Sequence, residues 1–247
     1  ECIFGNALCK IYHTPKPQAE VVELPKVDEA RIRKVIDNCE NGYIGPDEIF
    51  ELLDAAGIAQ KQIRVVDQKQ QALDFANEVG YPLVMKVVGP LHKSDVGGVT
   101  LNVRDIETVD REFDRLMAIP ETYAVEMYPM LDGTEVYIGA IRDDKFGHQV
   151  FFGLGGIFIE VLKDVQNAIA PITACEAKDM LTKLRGYKIL EGVRGQQPVN
   201  VDIYAEQVAR VSALVMVAPE IAEMDLNPLL GNPKNVVAVD ARIRIEK

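Results

Sequence analysis

Histidine and cysteine are both scarce in this chain: three histidines and four cysteines (Cys2, Cys9, Cys39 and Cys175) are spread over 247 residues, with no CxxC pair. That inventory leaves almost no ligand supply for a structural zinc site, and the expectation is reduced thiols in an intracellular, cytoplasmic setting. Positive charge is also short. With 27 Lys and Arg against 38 Asp and Glu, the formal net charge is -11. Such a field repels polynucleotide backbones and anionic membranes, so neither nucleic acid nor a membrane is an expected partner, and a bound nucleotide has to rely on local cations and metal. No apolar run approaches membrane length, and the absence of a repeat in the range of roughly 20 to 50 residues excludes a solenoid. No basic and apolar leader opens the chain and residue 1 is glutamate, from which a piece of a longer chain, one part of an enzyme, is expected. What is present, 48% apolar and 26% charged residues, is the balance of an α/β protein able to bury a full core, and two small lobes are expected.

The pattern along the chain supports that division. Pro15, Pro17 and Pro25 punctuate an irregular start, followed by a short amphipathic helix at Ile32, Val35 and Ile36. Gly45-Pro46-Asp47 opens a helical spacing of Ile49, Leu52, Leu53 and Ala56 that Gly57 stops, and a further helix carrying Ala72, Phe75, Ala76 and Val79 stops at Gly80. Leu83 to Val88 reads as a buried strand and Val99 to Val103 as a returning one, with a helical face at Ile106, Val109, Phe113, Leu116 and Met117 after them. Ala124 to Tyr128 and Thr134 to Arg142 are expected to be two strands of a larger sheet, joined by Val150 to Gly153 and a glycine-rich continuation at Gly155 and Gly156. Helices over 176–184 and 204–217 and a buried strand from Val236 to Asp240 complete the reading.

The densest chemistry lies between residues 80 and 99. Lys86 interrupts an otherwise apolar strand, and an ammonium group is costly to bury unless an anion meets it. Beyond it the chain turns at Gly89 and Pro90, carries His92 and Lys93, and closes on Gly97 and Gly98, whose amides can approach an anion without side-chain obstruction. An inward lysine, a glycine turn and terminal acids describe a metal-assisted nucleotide site, in which positioning and charge neutralisation do most of the catalytic work. Singly, each residue has a plainer reading. Lys86 alone is also a snorkelling edge lysine, His92 alone a solvated loop histidine, the run from Gly153 to Gly156 a place of close packing, and Asn227-Pro228 and Asp240 an ordinary turn and strand end. His13 and His148 are expected at the surface, and Cys175 in packing.

Six ordered blocks sharpen this. Gly80-Tyr81-Pro82 through Lys86, His92 through Val99, Phe151 through Asp164, Leu184-Arg185-Gly186-Tyr187, Gly192-Val193-Arg194-Gly195 and Glu223 through Leu229 together resemble the ATP-grasp portion of ADP-forming acyl-CoA synthetases. The resemblance runs from Gly45 to Arg244, about four-fifths of the chain, and extends to the nucleotide-binding half of succinyl-CoA synthetase. It implies an α/β ATP-grasp fold, two α/β lobes with the nucleotide in the cleft between them. On that basis residues 1–40 are expected to be a linker and N-terminal helix, 41–122 the smaller lobe with the His92 loop, and 123–247 the larger lobe with the metal site. The implied activity is an acid-thiol ligation. A CoA-binding alpha subunit or fused domain makes an acyl phosphate and then a phosphohistidine, and the ATP-grasp part passes that phosphoryl group to ADP, so that acyl-CoA, ADP and phosphate give a carboxylic acid, CoA and ATP. The small carboxylic acid is bound through the partner. Two other classes stay open at this point: an ATP-grasp carboxylate-amine ligase without a histidine carrier, and a non-catalytic nucleotide-sensing domain of a protein acyltransferase.

Carried over by position, the resemblance gives Lys86, Lys93, Gly97 and Gly98 to the nucleotide phosphates and Gly155 and Gly156 to the backbone of the nucleotide site. It places Glu126 where the fold passes its adenine hinge, and makes Asn227 and Asp240 the ligands of Mg²⁺. A hard cation that keeps several waters takes one or two protein oxygens plus phosphate oxygens, which an amide and a carboxylate supply. Asp225 is expected to orient the site as a second acid, and Arg194, with Arg185 behind it, to neutralise transferring phosphate. His92 matches the histidine that serves as a second phosphoryl carrier in two-component members. A reference pKa of about 6.5 keeps such a ring mostly neutral and nucleophilic at cytoplasmic pH. Lys86 and Gly97 are eleven steps apart, so the loop tip reaches on the order of 18 Å, and a loop about two residues shorter than the family's trims roughly 3 Å from that reach.

Overall fold

A computed structural model describes residues 23–89, 97–156, 164–193 and 195–247, with residues 5, 8, 9, 12 and 159 besides. In chain order the elements are α1 (Glu29–Asn38), β1 (Gly42–Tyr43), α2 (Pro46–Ala55), β2 (Arg64–Val66), α3 (Lys69–Val79), β3 (Leu83–Val88), β4 (Val99–Val103), α4 (Ile106–Met117), β5 (Ala124–Pro129), β6 (Thr134–Asp143), β7 (Gly147–Leu154), β8 (Val165–Ile169), α5 (Ala174–Leu181), α6 (Tyr187–Leu190), α7 (Val201–Val217), β9 (Ile221–Gly231), β10 (Val236–Ala238) and β11 (Ala241–Ile245).

Local chemistry sets most helix starts. The side chains of Asp28, Asp105 and Asn200 accept from the backbone N–H of Arg31, Thr108 and Ile203, while Thr173 and Glu176 form a reciprocal capping box at α5. Pro46 occupies the first turn of α2, where a missing N–H costs nothing. The stops at Gly57 and Gly80 fall as the sequence predicts, with φ of 68° and 80°.

The strands form two antiparallel sheets. A four-stranded sheet runs β2-β5-β3-β4, and a seven-stranded sheet runs β1-β11-β9-β6-β7-β8 with β10 paired to β9. Each has its own core. In the smaller unit, Leu83, Met85, Val87, Val125 and Met127 pack against Phe75, Val109, Phe113 and Leu116 of α3 and α4. In the larger, Val136, Ile138, Val150, Phe152, Met224 and Leu226 meet Tyr204, Val208, Val211 and Leu214 of α7, together with α1 and α2 residues such as Ile32, Ile36, Leu52 and Leu53.

This packing corrects the expected boundaries. Ala124 to Tyr128 does not belong to the larger sheet: β5 pairs with both β2 and β3 in the smaller one. Conversely β1 pairs with β11, and α2 packs into the larger core although both precede residue 122. The smaller unit is therefore an insertion of residues 64–129 into the larger. A period-two apolar pattern tells which face of a strand is buried, not which sheet buries it.

Candidate functional site

Strand alternation assigns the faces. Leu83, Met85 and Val87 point into the smaller core, so Lys86 stands on the opposite face of β3. In register beside it on β5 is Glu126, whose neighbours Val125 and Met127 are likewise core residues. Lys86 is half-buried and takes no ion pair among the described residues. The strand lysine thus stands on the face turned away from its own core, whereas the sequence predicts an inward lysine.

The same argument applied to β9 sets Met224 and Leu226 in the larger core and Glu223, Asp225 and Asn227 on the other face. Arg242 of β11 is the register partner of Asp225, and Gly139 of β6 flanks Asp225 on the other side. Tyr137 shares this face, and its hydroxyl lies where a side chain on Gly139 would stand. Burial, reinforced by the charges of Asp225 and Glu223, pushes the Tyr137 phenol up to about 12. Asp225 is half-buried, and desolvation raises its carboxyl above the ordinary range; Glu223 and Asp240 act in the same direction while Arg242 opposes them.

Asn227 and Asp240 are held together by main chain, the Asn227 N–H donating to the Asp240 carbonyl at 3.2 Å. Among the described residues no group of three or more His, Cys, Asp or Glu side chains gathers to hold a metal. What the pair supplies is one amide oxygen and one carboxylate, the carboxylate belonging to a residue that lines a cavity, a donor set that fits a hard cation sharing its remaining positions with water and phosphate.

The two units meet at a cavity of 310 Å³ lined by Pro46, Ile49, Phe50 and Leu53 of α2, by Gln60, Lys61 and Ile63, by Glu126, and by the segment 238–241 that includes Asp240. Residues 59 to 61 are stitched to β10: Lys61 N–H donates to Ala238 O at 3.0 Å and Ala238 N–H to Ala59 O at 2.8 Å. The Lys61 ammonium then lies 4.6 Å from the centre of the Tyr128 ring, a cation-π contact across to β5. Glu126 and Asp240, placed separately by sequence, therefore share one space.

The glycine-rich end of β7 is fixed from below. The buried Tyr204 hydroxyl accepts from Gly153 N–H at 2.8 Å and shares its proton between the Tyr137 and Gly153 carbonyls, each at 2.7 Å. Gly155 N–H donates to Glu135 O at 2.9 Å, and the Glu135 carboxylate occupies the place a side chain on Gly156 would need, at a φ of 55°. Glycine is required there by close approach as much as by backbone angle.

At the far end of β3 and β4, Gly97 and Gly98 are described; His92, Lys93 and Arg194 lie outside the described residues. The structure brings Lys86 beside Glu126, lines one cavity with Glu126 and Asp240, and sets Asp225 next to Gly139 and Arg242. Glu135, Tyr137, Arg242, Gln60 and Lys61 were not legible as site residues. The alternation Glu135-Tyr137 and Glu223-Asp225-Asn227, polar every second residue among apolar neighbours, was the available signal. His148 corrects a second expectation. It is buried, 6% exposed, with Nε2 donating to Ile221 O at 2.6 Å, because it begins an inward-facing strand rather than a surface loop. Cys175 is exposed rather than packed, being in the first turn of α5 on its outer side.

Comparison with known proteins accords with this geometry. The ATP-grasp domain family matches residues 34–245. The beta subunit of the ADP-forming acetate-CoA ligase I of Pyrococcus furiosus is 40% identical over 226 residues, covering 87% of this chain and 97% of that one. The acetate-CoA ligase I of Archaeoglobus fulgidus is 38% identical over 231 residues, but this chain spans only 33% of its length. Among solved structures, an acetyl-coenzyme A synthetase 1 of Ca. Korarchaeum cryptofilum in complex with coenzyme A and Mg-AMPPCP superposes with a TM-score of 0.68 at 34% identity, covering 89% of this chain and all of that chain (100%). The chain belongs to the ATP-grasp family and is homologous to the beta subunits of ADP-forming acetate-CoA ligases.

Proposed function

We propose that this chain is the nucleotide-binding component of an ADP-forming acyl-CoA ligase, moving a phosphoryl group between a phosphohistidine and ADP. The observation that carries the reading is the shared cavity of Glu126 and Asp240, with Lys86 in register beside Glu126 on the same sheet face. It is supported by the relative from Ca. Korarchaeum cryptofilum, solved with its phosphohistidine segment pointing towards the nucleotide site.

On this reading ADP lies between the units with its base towards β5 near Glu126 and its phosphates towards Lys86 and the Gly97-Gly98 turn. Mg²⁺, held by Asn227 and Asp240, neutralises charge on the phosphate oxygens when bound. As the phosphorus-nitrogen bond of the phosphohistidine breaks, a β-phosphate oxygen of ADP bonds to phosphorus. The electron pair stays on the imidazole nitrogen, which takes up a proton. The protein's own work is positioning: Lys86 and the glycine N–H groups compensate the incoming anion, and Asp225 orients the donor imidazole. His92 is the second carrier, with Lys93 and Arg194 compensating phosphate in transit. Gly155, tied to Glu135, and Gly156 beside it keep the backbone next to that path low, with Gly153 before them held by Tyr204. The CoA-binding partner is a separate subunit or fused domain that also selects the carboxylic acid, and the setting is the cytoplasm, consistent with the free thiols of Cys9, Cys39 and Cys175. No helix among the described residues is long and apolar enough to cross a membrane.

The test mixes the chain with a CoA-binding partner, acetyl-CoA, ADP, phosphate and Mg²⁺, and follows ATP. ATP formation that requires all components is expected, with Lys86→Met weakening ADP by roughly thirtyfold, the loss of one charged hydrogen bond of about 2 kcal/mol. His92→Ala at the native rate removes the carrier role alone; absence of ADP binding in calorimetry removes the assignment.

A further inference from the structure

The Gly97-Gly98 turn is fixed from a direction that the nucleotide site itself does not explain. Arg115, on α4, donates from Nη1 to the Gly97 carbonyl at 2.9 Å, from Nη2 to Thr100 Oγ1 at 2.8 Å, and from Nε to Glu112 Oε2 at 2.7 Å. Thr100 Oγ1 closes the ring by donating to the same Glu112 oxygen at 2.9 Å. Glu112 is 13% exposed; burial alone would raise its carboxyl, yet the hydrogen bonds from Arg115 and Thr100 outweigh it and hold the group below the usual range. The acid, its carboxyl held below the usual range, locks the guanidinium from Nε and Nη2 and leaves Nη1 turned to the loop.

A trans peptide is planar, with its C=O and N–H pointing in opposite directions. Tying the Gly97 carbonyl to Arg115 therefore aims the N–H of Gly98, which belongs to the same peptide, away from α4. The next peptide is fixed too, because Val87 N–H donates to the Gly98 carbonyl at 2.8 Å and so attaches it to β3, one residue beyond Lys86. Gly98 is buried, and its N–H has no partner among the described residues. An anion beside Lys86 is a partner that such a donor can take.

We infer that Arg115, locked by Glu112 and Thr100, is a positioning residue that orients the Gly98 N–H as a donor to a nucleotide phosphate. The inference rests on the nucleotide site proposed above. Arg115 acts through the peptide plane rather than through its charge, since its fork is spent on Gly97, Thr100 and Glu112. Lysine, whose donors all radiate from one nitrogen, cannot reproduce three bonds directed from the separate nitrogens of a planar fork.

The experiment compares ADP and adenosine binding to the native chain, Arg115→Met and Arg115→Lys by calorimetry, with thermal melting to show that each variant is folded. Both variants are expected to lose about tenfold in ADP affinity, the low end of what outer-shell partners contribute, while adenosine affinity is unchanged. Native-like ADP binding by Arg115→Lys, or an equal loss for ADP and adenosine, overturns the inference. If Arg115→Met does not fold, Arg115→Lys decides alone. A native chain that binds neither compound overturns the nucleotide site itself, a result distinct from either.

Discussion

Asp225 sits half-buried between Gly139 and Arg242, with Glu223 and Asp240 near enough to disfavour its charge, and burial is the largest cause of its raised pKa. A carboxyl whose pKa is raised on folding contributes stability below its ordinary value of 3.8 and loses it as pH rises through the folded value. The ionised form that the proposed role requires is therefore held at the expense of the fold. Asp225→Asn is expected to melt at a higher temperature than the native chain at pH 7, with the advantage disappearing as pH falls towards 4, while ATP formation drops. Equal melting temperatures at pH 7 would contradict this account. Such a residue was readable in sequence as an acid in a recurring block, whereas its burial was not, because burial comes from Tyr137 and the flanking strands of the sheet.

Among elements, β3 was legible to its ends because Gly80 and Gly89 bracket it, both with positive φ. Gly89 carries a further demand. A Cβ there would run into the carbonyl of Glu121, which is main chain and cannot swing aside, and the residue's φ is 136°. Gly89→Ala is expected to cost about 4 kcal/mol in urea denaturation, more than Gly80→Ala, which with nothing within 4 Å of the added atom carries only the strain of a glycine-only backbone, about 1 to 3 kcal/mol. Similar costs for the two would show that backbone angle alone decides. β2, with three residues, and β11, behind Asp240, offered too little pattern to read. β9 was hidden by Pro228 and by three polar residues in alternation, the very feature that turns Glu223, Asp225 and Asn227 to one face. The sheet to which β5 belongs depends on its partners β2 and β3, and pairing between distant segments leaves no local trace.

At the scale of the whole molecule, His148 joins the beginnings of β7 and β9 through its bond to Ile221, with Arg142 as its cross-strand neighbour. Burial, with Arg142 adding to it and the Ile221 bond opposing it, depresses the imidazole below its ordinary 6.5. The folded chain resists the proton that the unfolded chain accepts, so stability present above pH 6.5 is lost as pH falls beneath it. Native protein is expected to lose melting temperature between pH 7 and pH 5, and His148→Gln to show a flatter profile; parallel profiles would exclude this histidine as the cause. The two-unit organisation itself was legible from composition and spacing, but the interleaving of the chain was not, since residues 29–58 return to a core completed by strands near the C-terminus.

The stitch between residues 59–61 and β10 has one more consequence. It fastens the start of the inserted unit two residues before Asp240, so any swing of that unit turns about a point almost beside this acid. Near an axle displacement is small, and it grows with distance along the spoke: the carboxylate keeps its station while the parts of the inserted unit remote from the stitch sweep the longer arc.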